Sequence, residues 1–419
     1  MSNRRNFLKI LGTGFAAATT NPLIAGMTKM KTPGSPLKIG ILTPQSNICP
    51  QYPHSFMKGF RLGIDQNKAL KKQHIEIVNE PNGYGTPFIS KQNAEKLLYE
   101  NDVDLMVGIL GSEVANQFEG LFAKKQVPFV VCNAGEYFPV KKLRDNPYLF
   151  FNTLNLYQSA YQSGQHATSK YGKRGVVISS LYDSGYDSLF AFSQGVLSSG
   201  GTVEETHVMK TNENDRVSKA IARINQINPD YIYILLSGDQ ASDFIIQYKT
   251  QCGNRIPLIG TPFLTEGTNL PMLGKSALNL ESFTPWDKKT TNPVNVEFCK
   301  KYIETYRSEP DLFSSLGYET GTMIYLALSN SAGDYSGPSL RKRLADVTFN
   351  SPRGEFSVDK QTGWSQTPLY QIRIENQLMS TTPVAQVIKK VEQIAAMHPD
   401  FMPLENDYRS GWLNPYLFI

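Results

Sequence analysis

The feature of this sequence that most constrains its fold is a regular alternation of short apolar runs with amphipathic helical patterns. The predicted strands of the first part of the chain lie at residues 38–42, 74–78, 103–109 and 127–131. The alternation restarts in the second part, with predicted strands at residues 175–179, 202–209, 231–236 and 256–260. Strands that alternate with helices predict mostly parallel sheets covered on both faces. The sequence therefore predicts two consecutive α/β units, each with its own sheet.

The pattern changes after residue 280, where helical patterns dominate and two short strands follow. Residues 354–358 and 369–374 are predicted to form a hairpin, and a helical pattern is predicted to start at residue 385. The tail beyond it is rich in proline and aromatic residues, and it includes Trp412-Leu413-Asn414-Pro415. The role of this tail is left open by the sequence.

The N-terminal segment has the pattern of an export leader. Asn3-Arg4-Arg5-Asn6-Phe7-Leu8-Lys9 precedes a mild apolar stretch of small residues, as in twin-arginine export sequences. That stretch is too short to span a bilayer, which takes about 20 apolar residues. The alternative is a cytoplasmic protein whose first helix has a basic cap. We assign residues 1–35 to a cleaved leader recognised by the twin-arginine machinery, and we predict a periplasmic protein.

Length and charge restrict the remaining function classes. About 380 residues follow the leader, more than one ordinary domain holds, so two lobes are predicted. The net charge is +5, and the leader carries five basic residues, Arg4, Arg5, Lys9, Lys29 and Lys31. A nearly neutral mature chain does not have the basic stripe of a nucleic-acid-binding protein.

Motifs for metal binding or catalysis are missing from the sequence. The four cysteines, Cys49, Cys132, Cys252 and Cys299, have no CxxC spacing, and the five histidines have no ligand spacing. A disulfide between Cys49 and Cys132 and buried free thiols are both compatible with the periplasm. No nucleophile elbow, P-loop or dinucleotide fingerprint occurs at a strand–helix turn. We predict no metal, no cofactor and no enzyme activity.

Candidate binding residues come from the loops at the carboxyl ends of the predicted strands, where open α/β sheets bind ligands. Gly111-Ser112 offers N–H groups and a hydroxyl to an anion, or forms an ordinary helix N-cap. Tyr186 is either a wall of a cleft or a packing residue, and Glu136 is either a site residue or a solvated charge. Their common position at one sheet edge favours a binding role.

The order of these segments resembles the branched-chain amino-acid (Leu/Ile/Val) type of class I periplasmic binding protein, the solute-binding component of ABC importers. The resemblance covers residues 38–374 and rests on an ordered set of short motifs at family spacing. These motifs are Gly40-Ile41-Leu42-Thr43-Pro44, Lys58-Gly59, Val107-Gly108-Ile109-Leu110-Gly111-Ser112, Val127-Pro128-Phe129-Val130-Val131, Tyr182-Asp183-Ser184-Gly185-Tyr186, Pro229-Asp230-Tyr231-Ile232-Tyr233 and Leu316-Gly317-Tyr318-Glu319.

The resemblance implies two Rossmann-like α/β lobes joined by a three-crossing hinge that closes on a small ligand. Lobe 1 would then hold residues 36–154 and 282–347, and lobe 2 would hold residues 155–281 and 348–390. Residues 391–419 would form a C-terminal tail.

The resemblance also implies a set of ligand-binding residues on the strand-end loops of both lobes: Tyr52, Ser112, Ala134, Glu136, Tyr186, Ser237 and Phe263. Glu136 stands where the family usually has Ser or Thr. Pro262 stands where amino-acid binders often place an acidic partner for the ligand ammonium. A standard α-amino acid is therefore disfavoured unless Glu136 supplies the negative charge, and a buried Glu136 would need a cationic group or a hydroxyl donor on the ligand.

The sequence thus predicts an exported protein that binds an amino acid, an amide, a urea or an aromatic or apolar acid between two lobes. It would deliver this solute to the membrane permease of an ABC importer. A periplasmic sensor without a transporter and an exported enzyme are the alternatives.

Overall fold

The computed structural model describes residues 36–65, 75–136, 146–267, 269–330, 333–377, 382–393 and 414–418. The predicted leader, residues 1–35, lies outside these ranges, and so does the tail between residues 394 and 413.

The first sheet has five strands in the order β2-β1-β3-β4-β5, and every pairing in it is parallel. Its strands are β1 (Leu37–Thr43), β2 (Ile75–Pro81), β3 (Leu105–Ile109), β4 (Phe129–Asn133) and β5 (Leu149–Thr153). The helices between them are α1 (Gln51–Ile64), α2 (Pro87–Tyr99), α3 (Ser112–Gln117) and α4 (Glu119–Lys125). Successive residues of β3 belong to different hydrophobic cores, since Val107 shares one core with Phe56 of α1 whereas Met106 shares the other with Leu97 of α2. Helices therefore cover both faces of the sheet.

The second sheet has seven strands in the order β15-β14-β10-β9-β8-β6-β7. Five of them pair in parallel: β6 (Arg174–Ser180), β7 (Thr202–Met209), β8 (Tyr231–Leu235), β9 (Leu258–Gly260) and β10 (Glu281–Thr284). The helices of this region are α5 (Leu156–Tyr171), α6 (Asp187–Ser198), α7 (Arg216–Ile227), α8 (Gly238–Cys252), α9 (Pro262–Thr265) and α10 (Leu270–Leu273). The predicted α/β class with two mostly parallel sheets is confirmed.

The last part of the chain returns to the first sheet and then completes the second. It contains α11 (Pro293–Tyr306), α12 (Leu312–Ser329), α13 (Gly337–Ala345), β11 (Thr348–Ser351), β12 (Gly354–Val358), β13 (Ser365–Gln366), β14 (Leu369–Glu375) and β15 (Val384–Val391). Strands β11, β12 and β13 form a small antiparallel sheet of their own. Strands β14 and β15 extend the second sheet in the antiparallel direction.

Two local predictions are wrong in this region. Residues 354–358 and 369–374 do not pair as a hairpin, because β12 pairs with β11 and β13 while β14 lies between β10 and β15. The predicted helix at residue 385 is strand β15. Strand β14 is buried along most of its length and takes neighbours on both edges, which a two-stranded hairpin does not supply.

Helices α1 and α12 pack unusually closely through glycines. A Cβ added at Gly59 would lie 1.9 Å from the carbonyl oxygen of Ser314, and one added at Gly317 would lie 2.0 Å from that of Phe56. The two backbones are thus in contact where side chains normally separate helices by 8–10 Å between axes. This contact fixes α12, and with it the start of that helix, against the first sheet.

A buried ion pair lies where the chain passes between the sheets. The Arg353 guanidinium is fully buried, and its Nη2 is 2.9 Å from Oε1 of Glu319 on α12. It also donates to the carbonyl oxygen of Thr153, at the end of β5, over 2.7 Å and to Oγ1 of Thr367, before β14, over 2.9 Å. One side chain therefore connects the first sheet, α12 and the entry to the last two strands of the second sheet.

Candidate functional site

The candidate site is a cleft between loops at the carboxyl ends of strands from both sheets. The first sheet contributes Ser46 after β1 and Glu136 after β4, and the second contributes residues 182–186 after β6. Segment Asn414–Phe418, which belongs to the tail, lies between these loops and contacts both of them.

The phenol ring of Tyr416 is surrounded by aromatic side chains. Its centroid is 4.9 Å from that of Tyr186, edge to face, and 6.1 Å from that of Tyr182, nearly parallel. The Phe263 ring lies 6.2 Å away. The Tyr416 hydroxyl donates a hydrogen bond of 2.7 Å to Oδ1 of Asp183. The cleft thus combines an aromatic enclosure with a carboxylate that accepts a hydroxyl.

Asp183 is buried, and neighbouring side chains hold it in place. Its Oδ2 accepts a hydrogen bond of 2.6 Å from the Ser180 hydroxyl, and Ser237 also hydrogen-bonds to it. Burial raises the pKa of the Asp183 carboxyl, whereas the bonds from Ser180, Tyr416 and Ser237 lower it. The predicted residue Ser237 therefore reaches the cleft through Asp183.

Glu136 forms the opposite polar wall of the cleft. Its Oε1 accepts a hydrogen bond of 3.1 Å from the backbone N–H of Tyr416. Burial raises the pKa of Glu136 to about 7, against the opposing effect of the N–H groups of Tyr416 and Ser112. Because this pKa is close to neutral pH, both the ionised and the protonated carboxyl are accessible, and they accept an N–H or donate an O–H respectively.

Ser112 and Ala134 lie beneath Glu136. The Ser112 Oγ accepts a hydrogen bond of 3.1 Å from the Asn133 side-chain amide, whose oxygen accepts one of 2.7 Å from the N–H of Gly135. Gly111 is the N-cap of α3, and no side-chain cap bond forms there. Ser112 thus supports the loop that carries Ala134 and Glu136, and both Ser112 and Ala134 are buried.

Tyr52 and Phe263 join α1, α9 and the start of α12. The Tyr52 ring lies 5.6 Å from Phe263 and 4.7 Å from Phe313, and the Tyr52 hydroxyl is 3.3 Å from Oε2 of Glu266. Glu266 directly follows the short helix α9, which begins at Pro262, and it also accepts the N–H of Leu312 over 2.6 Å. Burial and the charge of nearby Asp311 together raise the pKa of Glu266 to about 8, against the opposing effect of the hydrogen bonds from Leu312 and Tyr52.

The structure brings all seven predicted residues to the walls of this cleft or directly beneath them. Sequence reasoning missed Tyr182, Asp183, Glu266 and Phe313, as well as the tail segment. Tyr182 and Asp183 lie in a loop at the carboxyl end of a predicted strand. This position is the feature of the sequence that could have identified them as candidate site residues. Glu266 and Phe313 have no comparable pattern around them.

Other chemistry is limited within the described ranges. No group of three or more His, Cys, Asp or Glu side chains there is arranged to hold a metal ion. Among the helices of the same ranges, none is both long and apolar enough to cross a membrane. All four cysteines, including Cys49 and Cys132, are free thiols, which is one of the two states that the sequence left open.

Two mostly parallel α/β sheets with an aromatic cleft between their strand ends are the architecture of a bilobed solute-binding protein. The chain belongs to the periplasmic binding protein family, whose model matches residues 36–378. This family consists of binding proteins of the periplasm, so the resemblance predicted from the motifs is confirmed.

Individual relatives agree with this assignment. The Leu/Ile/Val-binding protein homolog 6 of Brucella suis is 24% identical over 337 residues, covering 78% of this chain and 84% of the relative. An ABC transporter substrate-binding protein from Sphaerobacter thermophilus superposes with a TM-score of 0.77 at 24% identity, covering 86% of this chain and 98% of the other. A solute-binding protein of an ABC transporter from Rhodopseudomonas palustris HaA2, in complex with p-hydroxybenzoic acid, gives a TM-score of 0.73 at 21% identity and covers 88% and 99% of the two chains.

Proposed function

We propose that this protein captures a small phenolic or other aromatic solute in the cleft and delivers it to the membrane permease of an ABC importer. The observation that carries this proposal is the Tyr416 phenol, which is enclosed by Tyr182, Tyr186 and Phe263 and hydrogen-bonded to Asp183. A site that holds one phenol ring in this way has the shape and the acceptor for another. The Rhodopseudomonas relative with p-hydroxybenzoic acid supports the same ligand class.

The polar group at the other end of the solute would meet Glu136. Because Glu136 accepts the N–H of Tyr416, an amine or amide on the solute could donate to Glu136 in its place. A carboxylate is the other match, since protonated Glu136 can donate to it and the backbone N–H of Ser112 lies nearby. Tyr52, Ala134, Ser237 and Phe263 complete the proposed walls by packing or by orienting these groups.

The proposed mechanism is closure of two lobes around the solute. A first crossing near residue 154 is supported by the short link between Thr153, at the end of β5, and Leu156, at the start of α5. We propose the second crossing after Thr284, a proposal supported by the pairing of β10, Glu281–Thr284, within the second sheet. The third crossing is proposed between α13 and β14, beside Arg353. Solute binding stabilises the closed form only by its preference for that form.

We also propose that residues 1–35 direct the folded protein to the twin-arginine machinery and are then removed. Replacing Arg4 and Arg5 with lysine should retain the protein in the cytoplasm, as measured by cell fractionation. Periplasmic accumulation of that variant would contradict this route.

Calorimetric titration of the mature protein tests the proposed ligand class. The panel contains 4-hydroxybenzoate, benzoate, tyramine, L-tyrosine and L-leucine, and it is run on the wild type and on Tyr416→Ala, because Tyr416 lies where the solute ring would bind. We expect a phenol to bind most tightly, and Tyr186→Ala to weaken it at least tenfold, about 1.4 kcal/mol. The exposed Tyr99→Ala is the matched control and should leave affinity unchanged. Tighter binding of leucine than of every phenol would contradict the proposal, as would the absence of binding in both chains.

A further inference from the structure

The tail segment Asn414–Phe418 is held by the first-sheet side of the cleft through both backbone and side chain. The Ser46 hydroxyl donates to the carbonyl oxygen of Leu417, and the N–H of Tyr416 donates to Glu136. The Phe418 ring packs edge to face on Phe313, with centroids 5.1 Å apart.

The second-sheet side holds the same segment as firmly. The Tyr182 hydroxyl accepts a bond of 2.9 Å from the N–H of Leu417. The Tyr186 hydroxyl donates over 3.2 Å to the carbonyl oxygen of Asn414, and Asp183 accepts the Tyr416 hydroxyl. Residues 414–418 therefore bridge the two sheets. A solute bound in this fold would have to make the same kind of bridge to keep the lobes closed.

The segment has a compact shape of its own that leaves few polar groups unsatisfied. The N–H of Phe418 donates to the carbonyl oxygen of Pro415 over 3.0 Å, and the side-chain amide of Asn414 donates to the carbonyl oxygen of Phe418 over 2.8 Å. Tyr416, Leu417 and Phe418 are at most 3% exposed. Pro415 lies against Gly85, where a Cβ would be 2.5 Å from its Cδ.

We infer that Asn414–Phe418 is an intramolecular ligand of the cleft, which holds the two sides together and must leave before a solute can enter. The basis is the identity of the contacts, since Glu136, Tyr186, Phe263 and Asp183 are the groups that would hold a solute. Competition with solute rests on the proposed function, whereas docking of the segment does not.

Hydrogen exchange of the full-length mature protein, followed by mass spectrometry, tests the docking. The N–H groups of Tyr416, Leu417 and Phe418 all donate hydrogen bonds, so the C-terminal peptide should exchange at least ~100-fold more slowly than an unstructured chain. In the full-length variant Tyr416→Ala/Leu417→Ala/Phe418→Ala this protection should be lost while the two sheets stay protected. Exchange at the unstructured rate in the wild type would overturn the inference.

Displacement by solute tests the competition. The phenol that binds best in the calorimetric panel should release the protection of the C-terminal peptide, and the triple-alanine variant should bind that phenol at least tenfold more tightly than the wild type. The Tyr99→Ala chain serves again as the control. A phenol that binds both chains equally and leaves the peptide protected shows a permanent core segment and overturns the inference.

The synthetic peptide Asn-Pro-Tyr-Leu-Phe separates this inference from the proposed function. It should bind the triple-alanine variant and bind the wild type at least tenfold more weakly, whether or not any phenol binds. If no phenol binds either chain but the peptide distinguishes them, the proposed ligand class fails and the intramolecular ligand stands. If the peptide binds the wild type and the triple-alanine variant equally well, and the phenol does so too, the segment is not an intramolecular ligand. The proposed function then stands.

Discussion

Glu266 is a buried carboxyl that is held by hydrogen bonds. It accepts the N–H of Leu312 and lies within 3.3 Å of the Tyr52 hydroxyl, and Asp311 is a second buried acid nearby. Burial and the Asp311 charge both favour the protonated form, because an ionised pair in this position would lack compensation. The folded protein therefore keeps a proton that the unfolded chain releases.

This proton makes stability depend on pH. The pKa of Glu266 rises from an ordinary 4.5 to about 8 on folding, so below about pH 4.5 the full stabilisation is present. As pH rises from 5 to 8 the unfolded chain ionises first, and the free energy of unfolding should fall. In Glu266→Gln, which keeps an oxygen for Leu312, urea unfolding should show this decline reduced by more than about 1 kcal/mol. Glu297→Gln, on an exposed side chain, is the control. Parallel profiles for wild type and Glu266→Gln would refute the assignment.

The sequence indicates where a residue lies in the fold when position along the chain determines that place, whereas the ligand-binding role of such residues stays a prediction. Ser112, Glu136 and Tyr186 each follow a predicted strand, and parallel strands bring their carboxyl ends to one edge. Tyr416 and Glu266 were not predictable in this way. Their neighbours belong to elements that are far away in sequence. Local periodicity does not indicate such long-range contacts.

At the scale of elements, α1 and α12 depend on contact between their backbones. Each helix presents glycines to the other, so the helices approach to a distance at which a single methyl group meets a carbonyl oxygen. Because α12 carries Phe313 at its start and α1 carries Tyr52, this packing also sets the distance between two walls of the cleft.

Substitution of Gly317 tests the packing of this helix pair. Gly317→Ala would place a Cβ 2.0 Å from the carbonyl oxygen of Phe56, so the helices must separate and the free energy of unfolding should fall by about 1–3 kcal/mol or more. Gly120→Ala in α4 is the matched control, since nothing lies within 4 Å of its Cβ, and alanine there should stabilise the helix by up to about 1 kcal/mol. Chemical denaturation measures both, and equal effects would show that the close approach is not required.

The elements that the sequence predicted best have a clear hydrophobic pattern and a boundary that is marked by nearby residues such as glycine. Strand β7, Thr202–Met209, has the predicted bounds, because two glycines directly precede it. Strands β5 and β10 escaped prediction, and the partners of β14 were assigned wrongly. Pairing of short strands is decided by which sheet edge is free, and this information is spread over the whole chain.

At the scale of the whole molecule, the Arg353–Glu319 pair joins parts of the chain that belong to different sheets. Complete burial makes it sensitive to loss of one partner, because the remaining charge keeps its desolvation cost without its counter-ion. Arg353 also satisfies the carbonyl oxygen of Thr153, which lies directly before the chain crosses to the second sheet.

A double-mutant cycle measures this connection. Arg353→Met should lower the free energy of unfolding by about 3–5 kcal/mol, and adding Glu319→Gln should recover part of that loss because no charge is then left buried. Lys360→Met, which breaks the exposed pair with Asp346, should cost less than about 1 kcal/mol. Additive effects of the Arg353 and Glu319 substitutions would show that the two side chains do not act together.

Segment Asn414–Phe418 is covalently part of the chain whose cleft it occupies, and dilution therefore never removes it. A tethered group acts at an effective concentration that does not depend on how much protein is present. The apparent dissociation constant of a free solute is then the intrinsic one multiplied by one plus the ratio of docked to undocked protein. The binding curve shifts to higher solute concentration without becoming steeper. The length of the tether and the fit of residues 414–418 in the cleft would thus set the solute concentration at which this protein begins to bind its solute.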